Sequence, residues 1–296
     1  MTELFSTPWR DYELIDSGGF EKLERYGKFI LRRPEPQAVW PKRMLLSEWE
    51  SLPDAWFKKA KGGNSFDSNE RGEWIRKPNM PDQWHVDYSC RQNGLKFRLG
   101  MTAFKHIGMF PEQASNWDFI YDSVKALDVE EPNVLNLFAY TGGATLAAAA
   151  AGAVVTHVDS VKPVVTWARE NAEASGLLGI RWIVEDALKY VQREVRRGKH
   201  YNGIILDPPA YGRGPDGEKW ILEDQITTLL EACAKLLDPV NGFVVLNLYS
   251  MGFSPIIAAN LLSYYFHKAK GTIEYGELTV IDKSGMKLPL SVFARF

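Results

Sequence analysis

The sequence predicts an α/β protein whose larger part is a doubly wound, mostly parallel sheet, preceded by a small and mostly β domain. From about residue 114 onwards, apolar strand-like segments alternate with helix-like segments, which is typical of β-α-β units. The strand-like segments are uninterrupted apolar runs, as expected for strands that helices cover on both faces. Before about residue 100, helical periodicity is scarce and turn signals are frequent. We therefore expect one domain at residues 1–100 and a second at residues 101–296.

The predicted N-terminal domain consists of short strands joined by turns. Its strand-like segments are residues 12–16, 28–32, 74–77, 83–87 and 95–99. Residues 16–19, with the sequence Asp-Ser-Gly-Gly, form a turn signal after the first strand. The glycine-containing segment at residues 61–65 predicts a mobile loop.

The predicted C-terminal domain begins with a helix over residues 114–127 and continues with alternating strands and helices. The strands are expected at 133–138, 153–158, 180–184, 202–207 and 242–248, and the helices at 143–151, 161–175, 187–197, 219–237 and 255–267. The chain ends in two strand-like segments, 273–281 and 288–296, joined by a short turn. Because so short a connection requires antiparallel pairing, we expect a seven-stranded sheet whose last two strands form an antiparallel hairpin.

The composition favours a packed globular protein in a reducing compartment. Hydrophobic residues make up 45% of the 296 residues, and the net charge is −2. This charge provides no overall basic field for nucleic acid, although a local basic face is compatible with it. The cysteines, Cys90 and Cys233, are too few for a disulfide framework, which predicts a cytoplasmic protein.

A signal peptide, a membrane span and a metal site are not expected. The N-terminus lacks the basic region and long apolar run of a signal peptide. The longest apolar patch, residues 147–155, is too short to span a bilayer. The five histidines have no metal-ligand spacing with cysteines or acidic residues.

Glycines and acidic residues follow the first three strands of the predicted parallel sheet, at ends that share one edge. Gly142 and Gly143 permit a tight turn after the first strand. Asp159 ends the second strand, at a spacing close to that of an acid that binds ribose hydroxyls. Asp186 follows the third strand, where it can accept from an adenine amino group. We therefore expect a nucleoside site, although both acids could instead cap the helices that follow them.

The fourth strand ends in the pentad Asp207-Pro208-Pro209-Ala210-Tyr211, which suits the methylation of an amino group on a flat base. Such an amine is a poor nucleophile because its lone pair is delocalised into the ring. Hydrogen bonds from its protons to Asp207 and to a backbone carbonyl near Pro208 would localise that pair on nitrogen. Prolines fix φ and so hold these acceptors still, and Tyr211 could stack on the base. The alternative is a strand-ending turn with a helix cap.

The glycine-rich segment at residues 212–217 could be a substrate lid or an ordinary solvent loop. Arg213 within it is a candidate phosphate contact. The first loop, Ala-Tyr-Thr-Gly-Gly at residues 139–143, lacks the three-glycine spacing that places a pyrophosphate on a helix N-terminus. A dinucleotide oxidoreductase is therefore disfavoured, and a nucleoside-binding module without catalysis remains an alternative.

Several segments resemble the class I S-adenosylmethionine-dependent methyltransferases. They are residues 136–143, 158–160, 167–171 and 207–211. Within that family the chain is similar to the bacterial 23S ribosomal RNA methyltransferases that modify guanine N2 or cytosine C5. Residues 94–97 and 108–113 resemble the segment that leads into the catalytic domain of that group, and the resemblance covers residues 94–296.

The resemblance implies a Rossmann-like fold, S-adenosylmethionine as the cofactor and an RNA base as the substrate. The residues that it implies for the cofactor are Gln113, Phe138, Tyr140, Thr141, Gly142, Gly143, Asp159, Ser160, Asp186, Ala187 and Asp207. Among these, Asp159 would hold the ribose and Asp186 the adenine. The residues that it implies for catalysis are Asp207, Pro208, Pro209 and Tyr211.

The methyl acceptor remains open between several classes. An exocyclic amine of an RNA base is the first expectation, and a protein amine or a small-molecule amine is the alternative. Methylation of cytosine C5 would require a thiolate that attacks the ring. The fifth strand ends without a cysteine, Cys233 falls in a helix at a core-like position, and Cys90 lies in the N-terminal domain. Carbon methylation is therefore disfavoured.

Overall fold

The computed structural model describes residues 2–5, 9–60, 71–91, 93–249 and 253–296. The loop predicted at residues 61–65 lies outside these ranges. No helix in the described part of the chain is long and apolar enough to cross a membrane. The same residues contain no group of three or more histidine, cysteine or acidic side chains placed to hold a metal ion.

The N-terminal region is rich in strands, as predicted. Its elements are β1 (Thr2–Phe5), β2 (Tyr12–Gly18), β3 (Glu21–Tyr26), β4 (Phe29–Pro34), the short helix α1 (Leu46–Ser51), β5 (Ala55–Lys59), β6 (Gly72–Arg76), β7 (Gln83–Cys90) and β8 (Asn93–Gly100). Strands β2 to β6 form a five-stranded sheet in chain order, and β7 pairs with β8 in a separate hairpin. The predictions at residues 12–16, 28–32, 74–77, 83–87 and 95–99 all fall on or within one residue of these strands.

The turn predicted at residues 16–19 is displaced, and strands β3 and β5 were not predicted. Strand β2 continues to Gly18, and the chain reverses at Gly19 and Phe20, whose φ angles are 58° and 64°. Positive φ at both central residues is the geometry of a tight hairpin turn. Asp16 is 1% exposed because its carboxylate accepts from the Met44 N–H and the Trp49 indole, at 2.9 and 2.8 Å. Asp16 therefore belongs to a buried hydrogen-bond network and not to a turn.

The C-terminal region alternates helices and strands as predicted. After a 3₁₀ turn (Pro111–Gln113) come α2 (Ala114–Ala126), β9 (Asn133–Leu137), α3 (Gly143–Ala150), β10 (Val154–Asp159), α4 (Lys162–Ala174), β11 (Arg181–Val184), α5 (Ala187–Arg196), β12 (Gly203–Leu206), β13 (Tyr211–Arg213), β14 (Lys219–Ile221), α6 (Leu222–Leu236), β15 (Phe243–Leu248), α7 (Pro255–Tyr265), β16 (Glu274–Ile281) and β17 (Lys287–Arg295). The order of the main sheet is β1-β16-β17-β15-β12-β9-β10-β11.

The pairing confirms the predicted doubly wound sheet. Strands β9, β10, β11, β12 and β15 pair in parallel, and β17 runs antiparallel to both β15 and β16. The sheet differs from the prediction by an eighth strand, β1, which pairs in parallel with β16 and places Thr2 opposite Gly276. A four-residue edge strand shows too little alternation to be recognised in a sequence.

One hydrophobic core joins the two regions. Trp117 of α2 stacks on Phe97 of β8, with ring centroids 5.1 Å apart, and meets the rings of Tyr88 and Trp9 edge-on at 5.4 and 6.1 Å. Such aromatic pairs stabilise an interface beyond the area they bury. The β7–β8 hairpin therefore packs directly on the helix that precedes the first strand of the parallel sheet.

Candidate active site

A cavity opens at the edge of the sheet where the parallel strands end. Because β9 lies between β10 and β12, the connections that leave β9 and β12 diverge there and form a crevice. The cavity spans about 530 Å³ including its open mouth. Seven of the residues predicted for the site line it: Gln113, Phe138, Tyr140, Thr141, Gly142, Gly143 and Asp207.

The loop after β9 has an unusual backbone. Phe138 and Tyr140 have φ angles of 54° and 49°. Positive φ is uncommon for residues with a side chain and persists only where the surroundings hold it. Here the Thr141 hydroxyl donates to the Gly108 carbonyl oxygen at 2.6 Å, and the Tyr140 N–H donates to a carboxylate oxygen of Asp159 at 2.9 Å. The loop is therefore held in one shape beside the cavity.

Gly143 begins α3 and allows this helix to approach α2 closely. A Cβ at this position would lie 2.5 Å from the Trp117 ring. Trp117 is 4% exposed, so it has little room to move aside. Only glycine permits so close an approach. The first turn of α3 therefore borders the cavity with bare backbone.

Asp159 links the first loop to the second. Its Oδ2 accepts from the Tyr140 N–H and its Oδ1 accepts from the Val161 N–H, both at 2.9 Å. Burial raises the pKa of the Asp159 carboxyl, and the backbone donors oppose that shift. The bond to Val161, the N-cap residue of α4, closes a turn before the helix, and α4 itself has no side-chain cap bond. The bond to Tyr140 adds a connection that sequence reasoning did not find. Asp159 and the adjacent Ser160 do not themselves line the cavity among the described residues.

Asp186 is the N-cap of α5. Its Oδ1 accepts from the Lys189 N–H at 2.9 Å, which satisfies one of the free donors at the helix start. This bond occupies one of its two carboxylate oxygens. Asp186 and the buried Ala187 also lie outside the cavity lining among the described residues. The assignment of Asp186 to the adenine and of Ala187 to the cofactor site remains a prediction.

Asp207 follows β12 and lines the cavity. Its Oδ1 is fully buried and has no hydrogen-bond partner among the described residues. Burial raises the pKa of the Asp207 carboxyl to about 7, and the negative charge of Glu112 adds to the shift. Because buried polar atoms normally have partners, an unpartnered acceptor at a cavity is an expected feature of a ligand site.

The two prolines of the Asp207 corner are fixed in different ways, Pro208 by burial and Pro209 by a hydrogen bond. Pro208 is buried and Pro209 is exposed. The Pro209 carbonyl oxygen accepts from the Trp220 indole at 2.7 Å. The Trp220 ring also packs against Phe138 of the first loop, with centroids 4.9 Å apart. Trp220 therefore braces the end of β12 and the end of β9 together.

The segment after the prolines is a β-hairpin, which corrects part of the prediction. Strand β13 pairs with β14, and Tyr211 lies opposite Ile221. Residues 219–221, predicted as the start of a helix, belong to β14, because Trp220 must be buried against Phe138 while its neighbours are not. The helix begins at Leu222. Tyr211 is 37% exposed on this hairpin and is absent from the cavity lining among the described residues.

A polar network beside the cavity was missed in the sequence. The Gln113 Oε1 accepts from the side-chain amides of Asn116 and Asn247, at 3.0 and 3.1 Å. The Gln113 Nε2 donates to the Tyr249 hydroxyl at 2.9 Å, and that hydroxyl donates to the Glu112 Oε1 at 3.1 Å. Asn247 interrupts an otherwise apolar strand, which is the signal that could have revealed it.

The cavity fits an adenosyl cofactor without phosphate. None of the described lining residues is lysine or arginine, so no side chain there would neutralise a pyrophosphate. The lining offers apolar and aromatic groups, the bare backbone of Gly142 and Gly143, and the unpartnered carboxylate oxygen of Asp207. A negative oxygen suits a cationic sulfonium, and glycine backbone allows close approach.

Comparisons with known proteins agree with this chemistry. Residues 64–260 match the model of a family described as S-adenosylmethionine-dependent methyltransferase. The solved structure of a SAM-dependent methyltransferase from Agrobacterium tumefaciens superposes with a TM-score of 0.90 at 38% identity, over 100% of this chain and 93% of that one. The structure of SMU.776 complexed with SAH has a TM-score of 0.71 at 18% identity, over 96% of this chain and 75% of that one, which shows a shared fold.

Curated relatives are similar over part of their length. The ribosomal RNA large subunit methyltransferase K/L of Shewanella frigidimarina is 30% identical over 182 residues, which are 60% of this chain and 24% of the relative. The protein of the same name from Pseudoalteromonas atlantica is 32% identical over 151 residues, which are 50% of this chain and 20% of the relative. These alignments span about a quarter or less of those relatives.

Proposed function

Because the chain belongs to the S-adenosylmethionine-dependent methyltransferases, we propose that it methylates an exocyclic amine of an RNA base. The observation that carries this proposal is the position of Asp207. Asp207 lines the cavity, its buried Oδ1 has no hydrogen-bond partner among the described residues, and the two prolines that follow make the corner rigid. An acceptor held in this way can bind the N–H of an incoming amine.

The first loop and its neighbours would hold the cofactor. The bare backbone of Gly142 and Gly143 and the side chains of Phe138 and Tyr140 line the cavity. Asp159 supports the loop from behind and would hold the ribose, while Asp186 would accept from the adenine. When bound, S-adenosylmethionine supplies a methyl group activated by a sulfonium, which is left as a neutral thioether after transfer.

Asp207 and the Pro208 carbonyl would orient the amine. Two hydrogen bonds from the amine protons would localise the lone pair on nitrogen, and the fixed corner would aim it at the methyl carbon. The Pro208 carbonyl is the natural second acceptor, because the Pro209 carbonyl already accepts from Trp220. The nitrogen gains a carbon bond and loses one proton, for which the Asp207 carboxylate is the acceptor in the site.

The cysteines support methylation of nitrogen over methylation of carbon. Cys90 and Cys233 are both fully buried and neither lines the cavity among the described residues. Burial raises the pKa of both thiols, and the negative charge of Asp118 adds to the shift at Cys90. A buried thiol with a raised pKa is a poor nucleophile. The route through a thiolate therefore has no suitable group here.

RNA is the acceptor favoured by the curated relatives, which are named as ribosomal RNA methyltransferases. We propose that residues 1–100 contribute to recognition of this RNA and that residues 101–296 carry methyl transfer. An RNA substrate and two free thiols are consistent with a cytoplasmic enzyme.

Nucleoside mass spectrometry tests this proposal. RNA from a strain that lacks the gene is compared with RNA from its parent, and with RNA from the deletion strain complemented by wild type or by Asp207→Ala. One methylated base should disappear in the deletion strain, return with wild type and stay absent with Asp207→Ala. Purified Asp207→Ala should still show a thermal shift with S-adenosylhomocysteine.

Three results would contradict the proposal. An unchanged nucleoside profile, together with loss of a methylated protein or small-molecule amine, would reassign the acceptor. Full complementation by Asp207→Ala would remove the carboxylate from the reaction. If the variant instead fails to bind S-adenosylhomocysteine, Asp207 serves the cofactor and its assignment to the amine is wrong.

A further inference from the structure

Tyr249 lies beside the Asp207 corner, although the two residues are far apart in the sequence. Asp207 follows β12 and Tyr249 follows β15, and these strands are parallel neighbours that pair Leu206 with Leu246. Both residues therefore leave the sheet at the same edge. The side chain of Tyr249 is partly exposed there, and Asn247, two residues earlier, lines the cavity.

The Tyr249 phenol is fixed by two hydrogen bonds. Its hydroxyl donates to the Glu112 Oε1 at 3.1 Å and accepts from the Gln113 Nε2 at 2.9 Å. Glu112 and Gln113 are 3% and 6% exposed and belong to one 3₁₀ turn, so neither partner is free to move. The polar end of the ring is therefore held among buried groups, and the ring meets the cavity lining through its contact with Phe110.

Phe110 connects the Tyr249 ring to the ring of Tyr140 in the first loop. Its centroid lies 5.5 Å from that of Tyr249 and 5.4 Å from that of Tyr140. Phe110 and Tyr140 both line the cavity. We call Phe110, Tyr140 and Tyr249 the aromatic wall; it runs from the first loop to the Asp207 corner.

Tyr211 is less suited to hold a base. Neither Tyr211 nor Tyr249 is itself a lining residue of the cavity among the described residues, but Tyr211 lies on the β13–β14 hairpin and is 37% exposed. The rings of the aromatic wall contact one another, and Tyr249 is hydrogen-bonded at its phenol. Rigid aromatic side chains lose little conformational entropy when they bind a flat ring.

We propose that the flat ring of the methyl acceptor stacks on the aromatic wall at Tyr249, and that Glu112 is the positioning residue that holds Tyr249 there. This inference rests on the proposed function, because it assumes an acceptor with a planar ring. It assigns base stacking to the end of β15 instead of to Tyr211.

Glu112 connects the aromatic wall to the N-terminal sheet. A buried ionic cluster of that sheet, in which Glu24 pairs with Arg33 at 2.6 Å and with Lys22 at 3.6 Å, lies close enough to act on the Glu112 charge. Burial raises the pKa of the Glu112 carboxyl, and the positive charge of Lys22 opposes the shift. The buried charges of the N-terminal sheet therefore act on Glu112, the residue that holds the Tyr249 phenol.

Methyl transfer to RNA isolated from the deletion strain tests this inference, with labelled S-adenosylmethionine and with Tyr249→Leu, Tyr249→Phe and wild type compared. Tyr249→Leu should raise the KM for RNA about tenfold, the loss expected for one stacked base. Tyr249→Phe keeps the ring but lacks the hydroxyl that Glu112 and Gln113 hold, so its KM for RNA should lie between those of wild type and Tyr249→Leu. Both variants should keep the thermal shift with S-adenosylhomocysteine, which also shows that they fold. Tyr264→Leu is the matched control, since Tyr264 is 74% exposed on α7.

Glu112 is tested by a pair of variants. Glu112→Ala removes the acceptor of the phenol proton and should raise the KM for RNA to about the value of Tyr249→Phe, which loses the same hydrogen bond. Glu112→Gln retains an oxygen that can accept this proton and should restore much of the loss. A residue that only stabilised the fold would change the melting temperature of both variants without this difference in KM.

The outcomes separate this inference from the proposed function. If wild type labels RNA and Tyr249→Leu leaves the KM unchanged, the aromatic wall does not bind the acceptor although the function stands. If Tyr211→Ala raises the KM and Tyr249→Leu does not, stacking belongs to the hairpin. If wild type labels no RNA, the proposed function and this inference are both wrong.

Discussion

The Asp159 carboxylate accepts a hydrogen bond from the Tyr140 N–H at 2.9 Å. The acid at the end of the second strand thus holds the loop after the first strand, including a tyrosine whose φ is 49°. The loop that we propose binds the cofactor and its acidic neighbour are therefore one structural unit. A change at Asp159 would therefore alter the shape of this loop.

Asp159→Ala should weaken the binding of S-adenosylhomocysteine by roughly tenfold or more, because two backbone N–H groups lose a charged acceptor. Isothermal titration would measure the change. Asp186→Ala is a comparison for stability. It removes the N-cap of α5 and should lower the free energy of unfolding by about 1 kcal/mol. An Asp159→Ala protein with wild-type affinity would show that the loop does not depend on this carboxylate.

Asp207 should make the protein less stable as the pH rises from about 4 to about 7. Its pKa is about 7 in the folded protein and near 3.9 in an unfolded chain. Between these values the folded state binds more protons than the unfolded state, so the free energy of unfolding falls as the pH increases. Above pH 7 the contribution becomes constant.

Asp207→Asn cannot ionise and should lack this pH dependence. Urea unfolding of wild type and variant at several values between about pH 5 and pH 8 would measure it. The stability of the variant relative to wild type should rise across the window and then level off. If the free energies of unfolding of the two proteins changed in parallel with pH, the pKa of Asp207 would not be raised in the folded protein.

Replacement of both cysteines should leave methyl transfer intact. Cys90→Ala with Cys233→Ala removes two buried thiols that lie outside the cavity lining among the described residues. The double variant should lose some stability because small cavities form in the core. Its kcat should nevertheless match that of wild type. A folded double variant without activity would favour the route through a thiolate.

Gly143→Ala should destabilise the protein by about 1–3 kcal/mol, since the new Cβ would lie 2.5 Å from Trp117, which is packed against Phe97. Denaturant unfolding would measure this change. Gly94→Ala provides the control, because a Cβ at Gly94 would meet no atom within 4 Å. Equal stability of the two variants would show that α2 can move away from α3.

The sequence patterns predicted the parallel sheet closely. Strand β12 is a continuous apolar run, and β15 is apolar apart from Asn247, as expected for strands that helices cover on both faces. The acidic and glycine residues at these strand ends were also recognisable, because parallel strands bring their carboxyl ends to one edge. Strand β14 was mistaken for helix because the burial of Trp220 against Phe138 is a contact between distant segments.

Local patterns in this chain were sufficient to identify the fold, the loop after β9 and the Asp207 corner, because each depends on residues adjacent in the sequence. The aromatic wall, the bond between Asp159 and Tyr140, and the pairing of β1 with β16 were not predictable in that way. Each joins residues that only the packing of separate elements brings together. The partners that an acidic or aromatic side chain finds in the folded protein depend on this packing.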